Sequence, residues 1–513
     1  MFHAPVAKST RPRSVRLNCD LLESREVPAA ITLAIENQTG LNPSEYSIWV
    51  AGYSAPANLF LDSDGNFKPT VSGQTTIPVF SINSLPNINF SYPGGFGGGI
   101  VQFFVVPTGT TPPGLGYSSG AVTPPPVPPF QSGQTNQGFT NDFLEFTIDP
   151  DQTLHIDSTQ VTQFAIPLTL QALGSNNQVI QQVGVTPGNS AVNRAAIGTA
   201  YTTFVAAENA TAAYGQLVID YPPKSVANQY YSIVSPTNFL AVNPSATGLS
   251  TYWDSTLATL FSTASPIPMS VIFANETYTG TVVTASNGSA AIEFTQTTGA
   301  GAGAKYYVFD PRSTYGSAFG TANFQVFGNV GVFNDPSTTS IPNGNTGVGL
   351  QLQQLVVAAI NRGVAITAPT SGPAGFTSNF WGTVANWYQS PNVYNVYSKF
   401  WHQGTVSGTP IMIDGRAYGF GYDEDSQLAG QPPVSSKFDP VPAGTTSMKL
   451  ILTAWLTAGG TNNGGNGGNG ATPSHPLGGP LFVGGASGNT NVYPQDSSTD
   501  AYSTTGTTIA PIP

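Results

Sequence analysis

The sequence predicts a mainly β protein, with a sandwich or barrel body and a mixed α/β lobe. Short runs of alternating apolar and polar residues recur along the chain, each closed by Gly, Pro or Asn. Gly (57) and Pro (43) are abundant while charged residues make up only 8 %, which suits turn-rich sheets better than helices laced with ion pairs. Hydrophobic residues reach 40 %, so a chain of 513 residues can bury a large core and is not disordered throughout.

The β body is read over residues 31–234. "ITLAIENQTG" (31–40) alternates and stops at a turn; "EYSIWVAGY" (45–53), "TTIPVFSI" (75–82) and "NINFSYPGGFGGGIVQFFVV" (87–106) continue as short strands. The proline-rich stretch 107–130 is too long for a hairpin turn and reads as an extended surface loop. Residues 142–164, "DFLEFTIDPDQTLHIDSTQVTQF", form a hairpin turning at "DPDQ", and further strands are expected near 164–172 and 216–221.

The pattern changes over residues 235–395, read as the α/β lobe. Trp253, Leu257, Leu260 and Phe261 make a helical stripe behind Ser/Thr caps. Leu352, Leu355, Val356, Ala359 and Ile360 make a second, ending at Gly363, and residues 379–389 suggest a third short helix. Strands such as "MSVIFANETYTGTVVTA" (269–285) lie between them. Residues 396–456 return to the β body through "TPIMIDGRAYGFGYDED" (409–425), read as a hairpin with an Asp-Gly turn, and the strand "SMKLILTAW" (447–455). Residues 457–513, rich in Gly, Asn, Ser and Thr, cannot bury a core and read as a flexible tail.

Charge and cysteine content narrow the function. The net charge is −11; residues 1–30 hold five of the 15 basic and three of the 26 acidic side chains, which leaves the rest at −13. Nucleic acid asks for a basic patch and is excluded as a partner. The single cysteine, Cys19, lies in the leader, so the body holds no disulfide. No apolar run is long enough to span a membrane, and residues 1–30 lack the apolar stretch of a standard signal peptide. No motif asks for a cofactor or a metal: "DSDGN" (62–66) lacks the spacing of a calcium loop, "GGFGGGI" (94–100) is not a phosphate loop, and His3, His155, His402 and His475 are scattered. A monomer is expected.

Glu145 is the outstanding side chain. Alternation puts it on one strand face with Phe143 and Thr147, against Leu144 and Phe146 on the other. A carboxylate there is either a structural partner or a catalytic group. "GYDEDSQ" (421–427) reads as a solvated strand end or as one lip of a cleft.

The hairpin resembles that of the β-1,3-glucanases of glycoside hydrolase family 64, relatives of the thaumatin-like proteins. "ITLAIENQTG", "INFSYPGGFGGGIVQFFVV", the return arm "STQV" with its following "QF", and "DGRAYGFGYDED" are similar to the family's segments in the same order, from residue 31 to about 456. The resemblance implies a thaumatin-like β-sandwich or barrel with an α/β lobe, a wide groove between them, and hydrolysis of β-1,3-glucan with inversion. The piece "RLNCDLLESREVPAA" resembles an N-terminal signature of exported or surface proteins of planctomycete bacteria, which implies a secreted or cell-surface protein.

On this resemblance Glu145 takes the family's general acid, while the position of its general base, an Asp after "TQV", is occupied by Thr162. A threonine hydroxyl can orient water but cannot hold its proton near neutral pH. Asp142, Asp157, Asp220 and Asp423 are the carboxylates weighed as substitutes; counting alternation from Thr162 turns Asp157 away from the cleft. Thr147, Gln160 and Asp423 are expected to bind sugar hydroxyls. Trp253, Trp381 and Trp387 are either stacking platforms or core. Two functions follow from the missing base, a β-1,3-glucan hydrolase with another base and a non-catalytic polysaccharide-binding surface protein; a structural surface protein that reuses the fold is a third.

Overall fold

The computed structural model describes residues 31–455 apart from residues 86, 113, 119, 124–138, 220–231, 274, 286–287, 315–321, 329–347, 367–375 and 421–433. The leader and the tail lie outside the described residues.

Two sheets pack face to face to form the body. The larger has eight strands, in the order Lys437–Phe438, Leu154–Ser158, Thr140–Ile148, Phe96–Pro107, Tyr46–Ser54, Leu59–Leu61 and Phe67–Pro69, with Phe80–Ser81 paired to Tyr46–Ser54. The smaller has five, in the order Val179–Gly184, Leu168–Leu173, Ser447–Leu452, Ile31–Asn37 and Asn87–Phe90. Alternation explains the packing: Leu144, Phe146 and Ile148 project inward with Val101, Phe103, Ile156 and Phe438, meeting Leu33, Leu170 and Leu450 of the smaller sheet in one buried cluster. Phe146 packs its ring against Phe67, Phe90 and Phe96, with centroids 5.2, 4.8 and 5.4 Å away.

The glycine run is part of this packing. Gly99 lies opposite Phe146, and a Cβ built there would stand 2.4 Å from the ring. Only glycine lets the two strands close over that side chain.

On the outer face of the large sheet, Ala51, Tyr53 and Phe104 are covered by a three-stranded sheet that contributes Ile77 and Leu115. The lobe has its own core, built on a five-stranded sheet and helices. The anticipated helices are present as Asp254–Leu260, Val348–Asn361 and Ser378–Gly382, and the strands of 269–285 as Met269–Phe273 and Glu276–Thr284. The mainly β sandwich with a mixed lobe is therefore the observed fold.

Four features differ from the sequence reading. The stretch 107–130 is not one extended loop, because Leu115–Ser118 and Ala121–Thr123 pair as an antiparallel hairpin within it. Residues 409–420 do not form a hairpin about Asp414–Gly415: both take positive φ in a short turn, but Met412 bridges to Val185 and Ala417 bonds to Val434, so the arms pair elsewhere. Helix Arg194–Ala207 is unanticipated; Asn193 caps it by accepting from the Ala196 N–H at 3.0 Å, and Ile197, Tyr201 and Val205 bury its inner stripe. Helix Val396–Gln403 is likewise capped by Asn395 and buries Tyr397, Phe400 and Trp401.

Candidate active site

Glu145 projects from the centre of strand Thr140–Ile148 onto the outer face. Directly across the hairpin it meets Asp157, and on its other side Ile100. Residues opposed in this way share a face, with Cβ atoms about 4.5–5.5 Å apart. The row continues to Lys437 beyond Asp157 and to Tyr53 beyond Ile100. The next position along holds Thr147 opposite His155. Glu145, Thr147, His155, Asp157 and Lys437 are all partly exposed, so one patch of this otherwise apolar protein carries two carboxylates and two bases.

The expectation that Asp157 faces away from Glu145 does not hold. The return strand ends at Ser158, and residues 159–162 leave the sheet before the chain re-enters another at Gln163–Phe164. Alternation does not carry across such a break, so counting back from Thr162 gives the wrong face.

Charges on this patch are arranged in opposed pairs. His155 bonds Asp439 at 2.5 Å through Nδ1 and Asp149 at 3.1 Å through Nε2. The hydrogen bond to Asp439 pushes its pKa up to about 9, with Asp149 adding to the effect against partial burial. Asp439, held by His155 and by Lys437 at 2.6 Å, lies well below the usual carboxylate range. Burial, with a smaller contribution from the Glu145 charge, drives the Tyr53 phenol far up, so it stays protonated beside that carboxylate.

Thr162 is buried, with its hydroxyl unpartnered among the described residues and its carbonyl accepting from the Ser235 N–H at 3.0 Å. Gln160 is buried as a clamp: its side-chain oxygen accepts from the Tyr418 N–H at 3.2 Å and its carbonyl from the Tyr397 hydroxyl at 2.6 Å. Those bonds tie the return arm to helix Val396–Gln403 and to the segment that follows it. Thr147 shares the Glu145 face as expected. Asp423 and Asp220 lie outside the described residues. Trp253, Trp381 and Trp387 are buried in the lobe core.

Asp142 points the other way, into the sandwich. Its carboxylate accepts from the N–H groups of Phe143 (3.0 Å), Ala165 (2.8 Å) and Ile166 (3.0 Å). Burial pushes its pKa up to about 7 in spite of those bonds and of nearby Arg194. It fixes the return arm rather than facing Glu145.

Sequence reasoning missed Lys437 and Asp439 altogether and left His155 among scattered histidines. Only the pairing of 437–438 with the hairpin brings them in, across some 280 residues of chain. Among the described residues no group of three or more His, Cys, Asp or Glu is placed to hold a metal ion, and no helix is long and apolar enough to cross a membrane.

The family model for glycoside hydrolase family 64, beta-1,3-glucanase, matches residues 29–446. Among solved structures, a laminaripentaose-producing beta-1,3-glucanase in complex with laminaritetraose is 19 % identical, with a TM-score of 0.55, covering 83 % of this chain and 99 % of its own. A beta-1,3-glucanase domain from Clostridium beijerinckii is 18 % identical, with a TM-score of 0.55 and 83 % and 98 % covered. No curated protein matches the sequence. The structural likeness at these identities speaks for the fold, and the family match extends over most of the sequence. The chain belongs to glycoside hydrolase family 64, the beta-1,3-glucanases.

Proposed function

We propose that this protein is a secreted or cell-surface enzyme that hydrolyses internal bonds of β-1,3-glucan, with Glu145 as general acid and Asp157 as general base. The single observation that carries the assignment is the cross-strand pairing of those two residues on one partly exposed face. Hydrolysis with inversion needs an acid at the leaving oxygen and a base to take a proton from the attacking water. Lys437 stands opposite Asp157 as a positive neighbour for the carboxylate that a base requires, and Glu145 is flanked on its other side by Ile100 and then by the protonated Tyr53. Thr147, on the same face, is the side chain that would bond sugar hydroxyls.

Release of reducing ends from laminarin tests the reading: the parent is active and Glu145→Gln loses about 10²–10⁴-fold in rate. The buried Thr162 at the family's base position favours a second reading, a glucan-binding surface protein without turnover. Laminarin binding with no release of reducing ends by the parent selects it.

A further inference from the structure

A cavity of about 740 Å³ lies where the edge of the five-stranded sheet meets the lobe, and none of its lining residues belongs to the Glu145 face. Its size falls within the about 300–1,000 Å³ of small-ligand sites. We propose that it is an accessory saccharide site, which holds an end or short segment of a β-glucan chain away from the carboxylates. The proposal rests on the glucan reading above for the identity of the sugar.

The lining is suited to hydroxyl groups. Arg416 is 95 % buried, and among the described residues it donates one hydrogen bond, from Nη2 to the Gln182 carbonyl at 2.8 Å, while its Nε has no acceptor. A buried guanidinium with donors open among the described residues has room to take ligand oxygens. Asp414 stands nearby with the opposite charge, so the site does not select a purely anionic ligand. Gln181, Gln182 and Gln403 add amides that both donate and accept, as sugar hydroxyls do.

The rim is apolar. Ile180 and Val384 are 40 % and 39 % exposed, two of the five large hydrophobic side chains left exposed among the described residues. Such side chains match the C–H face of a pyranose ring. The walls are also held in unusual backbone: Tyr388 and Asp414 have φ of +58° and +55°, and a bulky residue such as tyrosine seldom adopts that conformation. Tyr388 is kept there by its N–H bond to the Arg362 carbonyl at 2.9 Å and by its hydroxyl on Ser398 Oγ at 2.8 Å. The cavity wall is thus preorganised without a ligand.

Calorimetric titration of the full-length Glu145→Gln protein with laminaritriose tests the proposal. Two sites are expected, falling to one when Val384→Glu or Arg416→Gln is added. Val384 is on the rim and exposed, so its variant keeps the fold even if the Arg416 variant does not. In the otherwise native chain, Val384→Glu leaves hydrolysis of laminaripentaose within about twofold and lowers release from insoluble β-1,3-glucan at least about fivefold. A single site that Val384→Glu leaves unchanged overturns the proposal. Binding lost in Val384→Glu by a chain that never hydrolyses laminarin supports the cavity and refutes the catalytic reading, so the two fail separately.

Discussion

Glu145 and Asp157 are direct cross-strand neighbours, on adjacent strands of one hairpin and on the same face of its sheet. Two carboxylates opposed in this way repel one another. The fold tolerates them because Lys437 continues the row on the far side of Asp157 and the neighbouring position carries His155, bonded to Asp149 and Asp439. An arrangement that costs stability on a partly exposed face is the one the proposed acid–base pair requires.

The hairpin depends on the missing side chain at Gly99. Gly99→Ala places a methyl 2.4 Å from atoms of the Phe146 ring, immediately behind Glu145. The expected cost is about 1–3 kcal/mol. Thermal unfolding would register it, and laminarin hydrolysis should fall too, since the Glu145 strand must shift to relieve the clash. An alanine variant with parental Tm and rate contradicts the packing described here.

His155 gives the protein a basic-side pH dependence. With its pKa pushed up to about 9 by Asp439 and Asp149, its contribution is complete below the ordinary histidine value of about 6.5 and is lost as pH rises through about 9. His155→Gln should therefore lower Tm clearly at pH 6 and hardly at all at pH 10. An equal gap at both values shows that the ion pairs do not supply the stability.

Asp142 acts in the opposite sense. Burial raises its pKa to about 7, so between about pH 4 and 7 the unfolded chain releases a proton that the native one retains, and stability falls as pH rises. Asp142→Asn should flatten this part of the stability profile while losing acceptor capacity for the Ala165 and Ile166 N–H groups. Denaturant titrations at pH 4, 5.5 and 7 measure the slope directly, and an unchanged slope rejects Asp142 as its source.

Restoring an acid at the family's base position is not expected to restore or raise activity. Thr162 is buried, its carbonyl already tied to Ser235, and Thr162→Asp would bury a charge. It should destabilise by at least about 2 kcal/mol and leave laminarin hydrolysis no faster than the parent. A faster variant reassigns the base to position 162.

The large outlines were legible because they follow from local physics. Alternation along 142–148 put Glu145 and Phe146 on opposite faces, and the spacing from Leu352 to Ile360 marked a buried helix. Helix Val396–Gln403 was hidden by its aromatic and β-branched content, although Asn395 was available as a cap. The Asp157 error came from one irregular stretch, residues 159–162, invisible to a period-two count. Lys437 and Asp439 could not be placed at all, since only the tertiary pairing of a two-residue edge strand brings them to the hairpin.

Whether Asp157 works with Glu145 is decided by kcat/KM of Asp157→Asn on laminarin, with laminarin affinity measured alongside. A loss of about 10²–10⁴-fold is expected, with affinity within a few-fold of the parent. An Asp157→Asn protein that hydrolyses laminarin at the parental rate would contradict their joint role.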